Sequence, residues 1–189
     1  MSASILPNVR RAGRAGVPHA EVVQPLVVTL ALDEASQERF DALRQAHFPR
    51  ERNHLRAHVT LFHALPGEQE QAVRRDLAQA AQRGRFAVRV TGLRSLGRGV
   101  AYVLQSAELA LLREELRTSW EPWLTLQDRS RHSPHVTVQN KVDPAAARAL
   151  LGQLEHGFAP YDVTATGLSL WRYLGGPWEP LVTERFSTG

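Results

Sequence analysis

Ala57-His58-Val59-Thr60-Leu61-Phe62 and Pro134-His135-Val136-Thr137-Val138 carry one triplet, His-Val-Thr, used twice and set 77 residues apart. Each lies in a short apolar, β-branched run that reads as a strand. Strand side chains alternate between faces, so the His and Thr of a triplet project together while the Val points the other way. With 8 His and 10 Thr in the chain, random order yields roughly 0.4 His-x-Thr matches, so one would mean little and two identical ones mean a great deal. Both follow a loop rich in Arg and His, and a helix is expected after each. This is the pattern of two related halves facing one another.

The chemistry follows from the groups. Imidazole titrates near neutrality, so of two neighbouring His one can be neutral and the other protonated, a base and an acid together. Two hydroxyls on the same face can donate hydrogen bonds to phosphate oxygens whose charge grows during displacement. A phosphodiester held between the triplets meets both.

At His58, Thr60, His135 and Thr137 the chain resembles the two-histidine (2H) phosphoesterase superfamily, which includes the 2'-5' RNA ligase and 2',3'-cyclic phosphodiesterase proteins. The resemblance spans the order of elements from about Pro25 onward. It implies that both His act as acid and base, that both hydroxyls bind phosphate, and that neither metal nor cofactor is used. It also implies an α+β, bilobal pseudo-twofold fold, with two mostly antiparallel sheets flanked by helices around a central cleft. The first triplet continues Leu61-Phe62-His63-Ala64-Leu65-Pro66-Gly67, a longer run to Gly than in RNA-ligase-type members.

Composition sets outer bounds. Hydrophobic residues are 43% and charged residues 22% of the 189, which are globular values. There is no Cys, so disulfide and thiol chemistry are excluded, and a cytoplasmic location is expected. Net charge is +4, carried by 22 Arg and the single Lys141, which suits a phosphate-bearing partner such as RNA with a cyclic phosphate end or a small nucleotide. Solvated helix faces would account for many Arg equally well. No apolar run approaches the roughly 20 residues of a membrane span, and a monomer is expected. Residues 1–24, with Arg10, Arg11 and Arg14, are read as a flexible basic tail, and residues 25–189 as one domain.

Along the chain the periodicities predict a strand over 26–32, a helix from Glu34 to Ala46 capped by Asp33, the first triplet strand, and a helix over 68–83. Strands at 86–90 and 100–104 follow, with 93–99 as a loop between them. A helix from Ala107 to about Trp120, an exposed loop over 126–133, the second triplet strand, a helix opened by Asp143-Pro144 and two terminal strands turning at Gly175-Gly176-Pro177 complete the order.

Secondary site candidates are Arg56, which shares a strand face with His58 if the strand begins there, and Arg131 in the second Arg-rich loop. Trp171 and Tyr173, two apart in a late strand, and also Tyr102, are candidates to stack a nucleobase; packing in the core is the plainer use of such residues. His54, His58 and His63 cluster in sequence. His58 and His63 differ by an odd number and are expected on opposite faces, which argues against a metal site. The resulting expectation is a metal-independent phosphodiesterase, with a non-catalytic RNA-binding protein and a hydrolase of small cyclic phosphates unrelated to RNA as alternatives.

Overall fold

The computed structural model describes residues 23–188. The basic tail read from the sequence falls almost wholly outside the described residues. Of twelve strands and helices, all but α4 follow the expected order: β1 Leu26–Leu32, α1 Glu34–His47, β2 Val59–Leu65, α2 Glu70–Ala80, β3 Phe86–Ser95, β4 Val100–Gln105, α3 Ala107–Ser119, α4 Leu126–Arg129, β5 His135–Gln139, α5 Pro144–His156, β6 Tyr161–Tyr173 and β7 Trp178–Arg185.

The strands form one antiparallel sheet in the order β1-β2-β5-β4-β3-β6-β7, and a further pairing of β1 with β6 closes the first six into a barrel. The long β6 makes closure possible. Its residues 161–165 bond β3 along one edge, residues 165–172 bond β1 along the other, and β7 continues beyond β3 beside residues 167–173. The two separate sheets expected from the sequence are therefore one closed sheet. Alternation along a strand tells which face is buried but not which strand lies beside it, and closure satisfies edges that two open sheets would leave unpaired.

Two further differences are local. β3 runs on to Ser95 because a bulge between Val90 and Gly92 breaks its alternation without ending its pairing to β4, so the expected loop shrinks to a tight turn with Gly97 at φ 75°. The segment before β5, expected as an exposed loop, contains the one-turn helix α4. Thr125 caps it, and Asp128 within it is 1% exposed.

Register is held by the buried face. Val59 of β2 lies opposite Val136 of β5, and Val136 opposite Tyr102 of β4; the two Val are 0% and 1% exposed. Phe40 of α1 meets Tyr102 edge-on with ring centroids 5.6 Å apart, so α1 covers this face. Burying each Val contributes about 1.5–3 kcal/mol, and a one-residue slip would exchange them for the polar triplet residues.

Candidate active site

The pairing of Val59 with Val136 determines the site. In an antiparallel ladder it sets Thr60 opposite His135 and His58 opposite Thr137, all four projecting from the face that the two Val do not occupy. All four are part-exposed while their Val neighbours are buried. Directly opposed residues have Cβ atoms about 4.5–5.5 Å apart and diagonal ones roughly 7–8 Å, so the two imidazoles stand diagonally across the ladder, each opposite the other triplet's threonine.

The two rings are held alike. Nδ1 of His58 is 2.8 Å from the Arg56 carbonyl and Nδ1 of His135 is 2.9 Å from the Ser133 carbonyl, in each case the residue two positions earlier. When Nδ1–H donates to that oxygen, the lone pair of the neutral ring sits on Nε2. His135 has a second neighbour. Nη2 of Arg94 is 2.9 Å from the same Nδ1, with Nη1 donating to Ser133 Oγ at 3.0 Å.

Both imidazoles are driven toward the neutral form. Burial lowers His58 from 6.5 to about 4; the Arg56 carbonyl opposes this, and the charges of Arg44, His135 and His63 reinforce it. Burial likewise lowers His135, opposed by the Ser133 carbonyl and reinforced by Arg94 and His63. His132, whose Nε2 is 2.9 Å from the Thr60 carbonyl, is lowered to about 4, first by burial and then by Arg113 and the neighbouring His. A depressed folded value means that the unfolded chain takes up protons the folded one refuses. The associated stability is complete above about pH 6.5 and is lost as pH falls toward 4. Urea midpoints measured from pH 8 to pH 4 should fall across that window, and His132→Gln, which keeps a donor for the Thr60 carbonyl, should flatten the fall.

Beside His58 opens a cavity of about 370 Å³. Trp178 packs on the His58 ring at 4.7 Å between centroids and on Trp171 at 6.2 Å, and Trp171 Nε1 donates to Thr29 Oγ1 at 2.9 Å. Arg185, Ser169 and Thr183 complete its polar wall. Arg56 reaches its rim but precedes the strand, and its guanidinium pairs with Asp41 at 2.7 Å while 71% exposed. Tyr173 lies opposite Trp178 in the β6–β7 ladder, 38% exposed and outside the cavity lining. Tyr102 is core, 5% exposed, and does not form a base platform. Arg131 lines a different, larger cavity of about 860 Å³ along α3, which reaches Ser133 and Pro134 but neither triplet His.

Sequence reading missed Arg94 and Trp178. Arg94 falls in the segment expected as a loop, and Trp178 reaches His58 only through the β6–β7 hairpin. It also misplaced His63. Val28 pairs with Phe62 and Thr29 with Thr60, so Leu61 is an extra residue in β2, and the bulge carries His63 onto the face of Thr60 and His58. Among the described residues, no three His, Asp or Glu side chains gather closely enough to hold a metal ion.

The model of the 2'-5' RNA ligase superfamily matches residues 32–177 of this sequence, a span that holds both triplets. The chain belongs to that superfamily. Membership supports a phosphoesterase-type enzyme working on RNA or nucleotides. Solved structures agree in fold. TT0787 of Thermus thermophilus is 17% identical with a TM-score of 0.61, over 87% of this chain and 98% of that one. E. coli LigT in apo form is 20% identical with a TM-score of 0.55 over the same shares. LigT complexed with 3'-AMP is 18% identical with a TM-score of 0.54, over 87% of this chain and 99% of that one. No curated protein sequence matches. No helix among the described residues is long and apolar enough to cross a membrane.

Proposed function

We propose that the protein is a metal-independent phosphodiesterase that hydrolyses 2',3'-cyclic or 2'-5' phosphodiester bonds of RNA ends or small nucleotides, with RNA ligation as the reverse reaction. The observation that carries this reading is the crossed arrangement of His58, Thr60, His135 and Thr137 on one part-exposed face. One imidazole takes the proton of the attacking water as its oxygen bonds to phosphorus. The other gives a proton to the ribose oxygen as its bond to phosphorus breaks. The Thr60 and Thr137 hydroxyls donate to the non-bridging oxygens throughout. Both rings start near neutral, and the anionic phosphate beside them favours protonating one, which supplies the acid. With a 5'-hydroxyl in place of water the same two proton transfers give ligation, the 5'-oxygen–phosphorus bond forming as a ribose-oxygen–phosphorus bond of the cyclic end breaks.

Connectivity supports an approximate twofold. Exchanging β1, β2 and β3 with β4, β5 and β6 maps the ring order onto itself, with α1 matching α3 and α2 matching α5. Each half then contributes one triplet and one ring held by the carbonyl two residues before it. The Trp171–Trp178 cavity beside His58 is suited to a nucleobase, since aromatic faces stack any base at about 1–3 kcal/mol. Trp178→Ala should therefore raise KM for a nucleotide substrate roughly tenfold while kcat stays within severalfold, read from steady-state kinetics.

The test is a panel of 2',3'-cyclic mononucleotides, a 2'-5' dinucleotide and a cyclic-ended RNA, each with and without EDTA. Turnover of at least one, unaffected by EDTA, is expected. Salt-dependent RNA binding without turnover of any substrate would replace this reading with that of a non-catalytic RNA-binding protein.

A further inference from the structure

The bulge at Leu61 brings a third imidazole to the catalytic face, and a buried carboxylate holds it there. Asp128 is 1% exposed, and its carboxylate is fully committed to β2 and α4. It accepts the backbone N–H of His63 at 2.9 Å and of Ala64 at 3.2 Å, the Thr125 hydroxyl at 3.2 Å, and the His63 ring at Nδ1 at 2.9 Å. Burial pushes the Asp128 carboxyl up, but the hydrogen bonds from His63 and Ala64 more than reverse this and hold it ionised. Arg113 braces the arrangement from behind, donating to the carbonyls of Asp128 at 2.7 Å and Leu61 at 3.2 Å.

The His63 ring is thus fixed from one side only. Its side chain is 39% exposed, and Nε2 has no hydrogen-bond partner among the described residues. Its electrostatic influence reaches His58, His132 and His135 alike. The buried carboxylate fixes the ring through Nδ1 on a residue that the register places on the face of both triplets, and leaves Nε2 available to a ligand there. During displacement the charge on the non-bridging oxygens grows, and Thr60 and Thr137 supply only one hydroxyl donor each.

We propose that His63, oriented by Asp128, is a third binding residue of the site that, with both ring nitrogens protonated, donates through Nε2–H to an oxygen of the substrate's phosphate. This rests on the phosphodiester reading for its substrate, though not for its anion chemistry. Asp128 acts through His63 and is a positioning residue.

Two substitutions separate this role from a structural one. His63→Asn sets an amide nitrogen near the position of Nδ1, keeping the Asp128 contact while losing reach to the phosphate. His63→Gln sets one near Nε2, keeping the reach while giving up Asp128. The expected result is crossed. His63→Asn holds the wild-type urea midpoint but loses 10- to 100-fold, in order of magnitude, in kcat/KM for 2',3'-cyclic AMP. His63→Gln loses stability yet retains activity within severalfold. Activity that follows stability, with Asn near wild type and Gln poor, would overturn the proposal. Inorganic phosphate affinity, followed by ³¹P NMR, is the second measurement. His63→Asn should weaken it at least fivefold, and unchanged affinity would overturn the role of His63 even if the wild type turns over every substrate. If the wild type hydrolyses nothing but His63→Asn still weakens phosphate binding, the phosphodiesterase reading fails and His63 stands as an anion ligand.

Discussion

His58→Ala and His135→Ala are each expected to lower turnover of a 2',3'-cyclic phosphate by about 10²- to 10⁴-fold, the usual worth of a positioned acid or base. The two losses should not add. On the proposed mechanism both groups act in a single displacement, so the double variant should be little worse than the poorer single one. Neither change should unfold the protein, because the register of β2 on β5 is held by Val59 and Val136 on the opposite face. Steady-state kinetics with a circular dichroism melt of each variant checks both statements. Losses under tenfold for both, with the fold intact, would end the acid–base assignment. Thr60→Val and Thr137→Val should keep the strands and lose less, since each removes one donor.

The second large effect is expected at Arg44, a residue of α1 that touches neither triplet side chain but ties both triplets together. It is 6% exposed; its Nε donates to Asn53 Oδ1 at 2.8 Å and to the Leu55 carbonyl at 3.0 Å, on the approach to the first triplet. Its Nη1 donates at 2.9 Å to the carbonyl of Thr137, in the second. The guanidinium also stacks on Phe48, 3.9 Å from its ring centre. Arg44→Met keeps most of the apolar stem and strands three acceptors, so a loss of about 3 kcal/mol is expected from urea denaturation. Arg44→Lys should recover little of it, because one ammonium cannot reproduce a planar fork. The charge of Arg44 is also one of the influences holding His58 low, after burial. Removing it should raise the His58 pKa, which the C2–H resonance of that ring in an NMR titration reports directly. A variant as stable as wild type, with His58 titrating unchanged, would contradict the account.

The legible part of the chain is whatever depends on neighbours in sequence. Period-two and period-3.6 patterns give the strands and helices in correct order, since a residue's face depends on the backbone it belongs to. Asp33 and Asp143 cap their helices as their positions predict, the first with its carboxylate accepting from Ser36 N at 2.9 Å. The shared direction of each His and Thr follows from alternation alone, and so does the burial of the Val between them.

What lies beside what was decided only by tertiary structure, for one physical reason: hydrogen-bond partners between strands are chosen by the packing of the whole barrel, and bulges shift parity at residues that no local pattern marks. Val59 against Val136, and hence the crossing of the two triplets, needed the ladder. The turn of His63 toward the site needed the extra residue at Leu61. The approach of Arg94 to His135 needed β3 to run past its bulge, and that of Trp178 to His58 needed β7 to fold back on β6. The sequence by itself thus determined two strand segments that each carry the same imidazole and hydroxyl pair. Closure of the sheet decided that these groups would share one face, and which charges and rings would surround them.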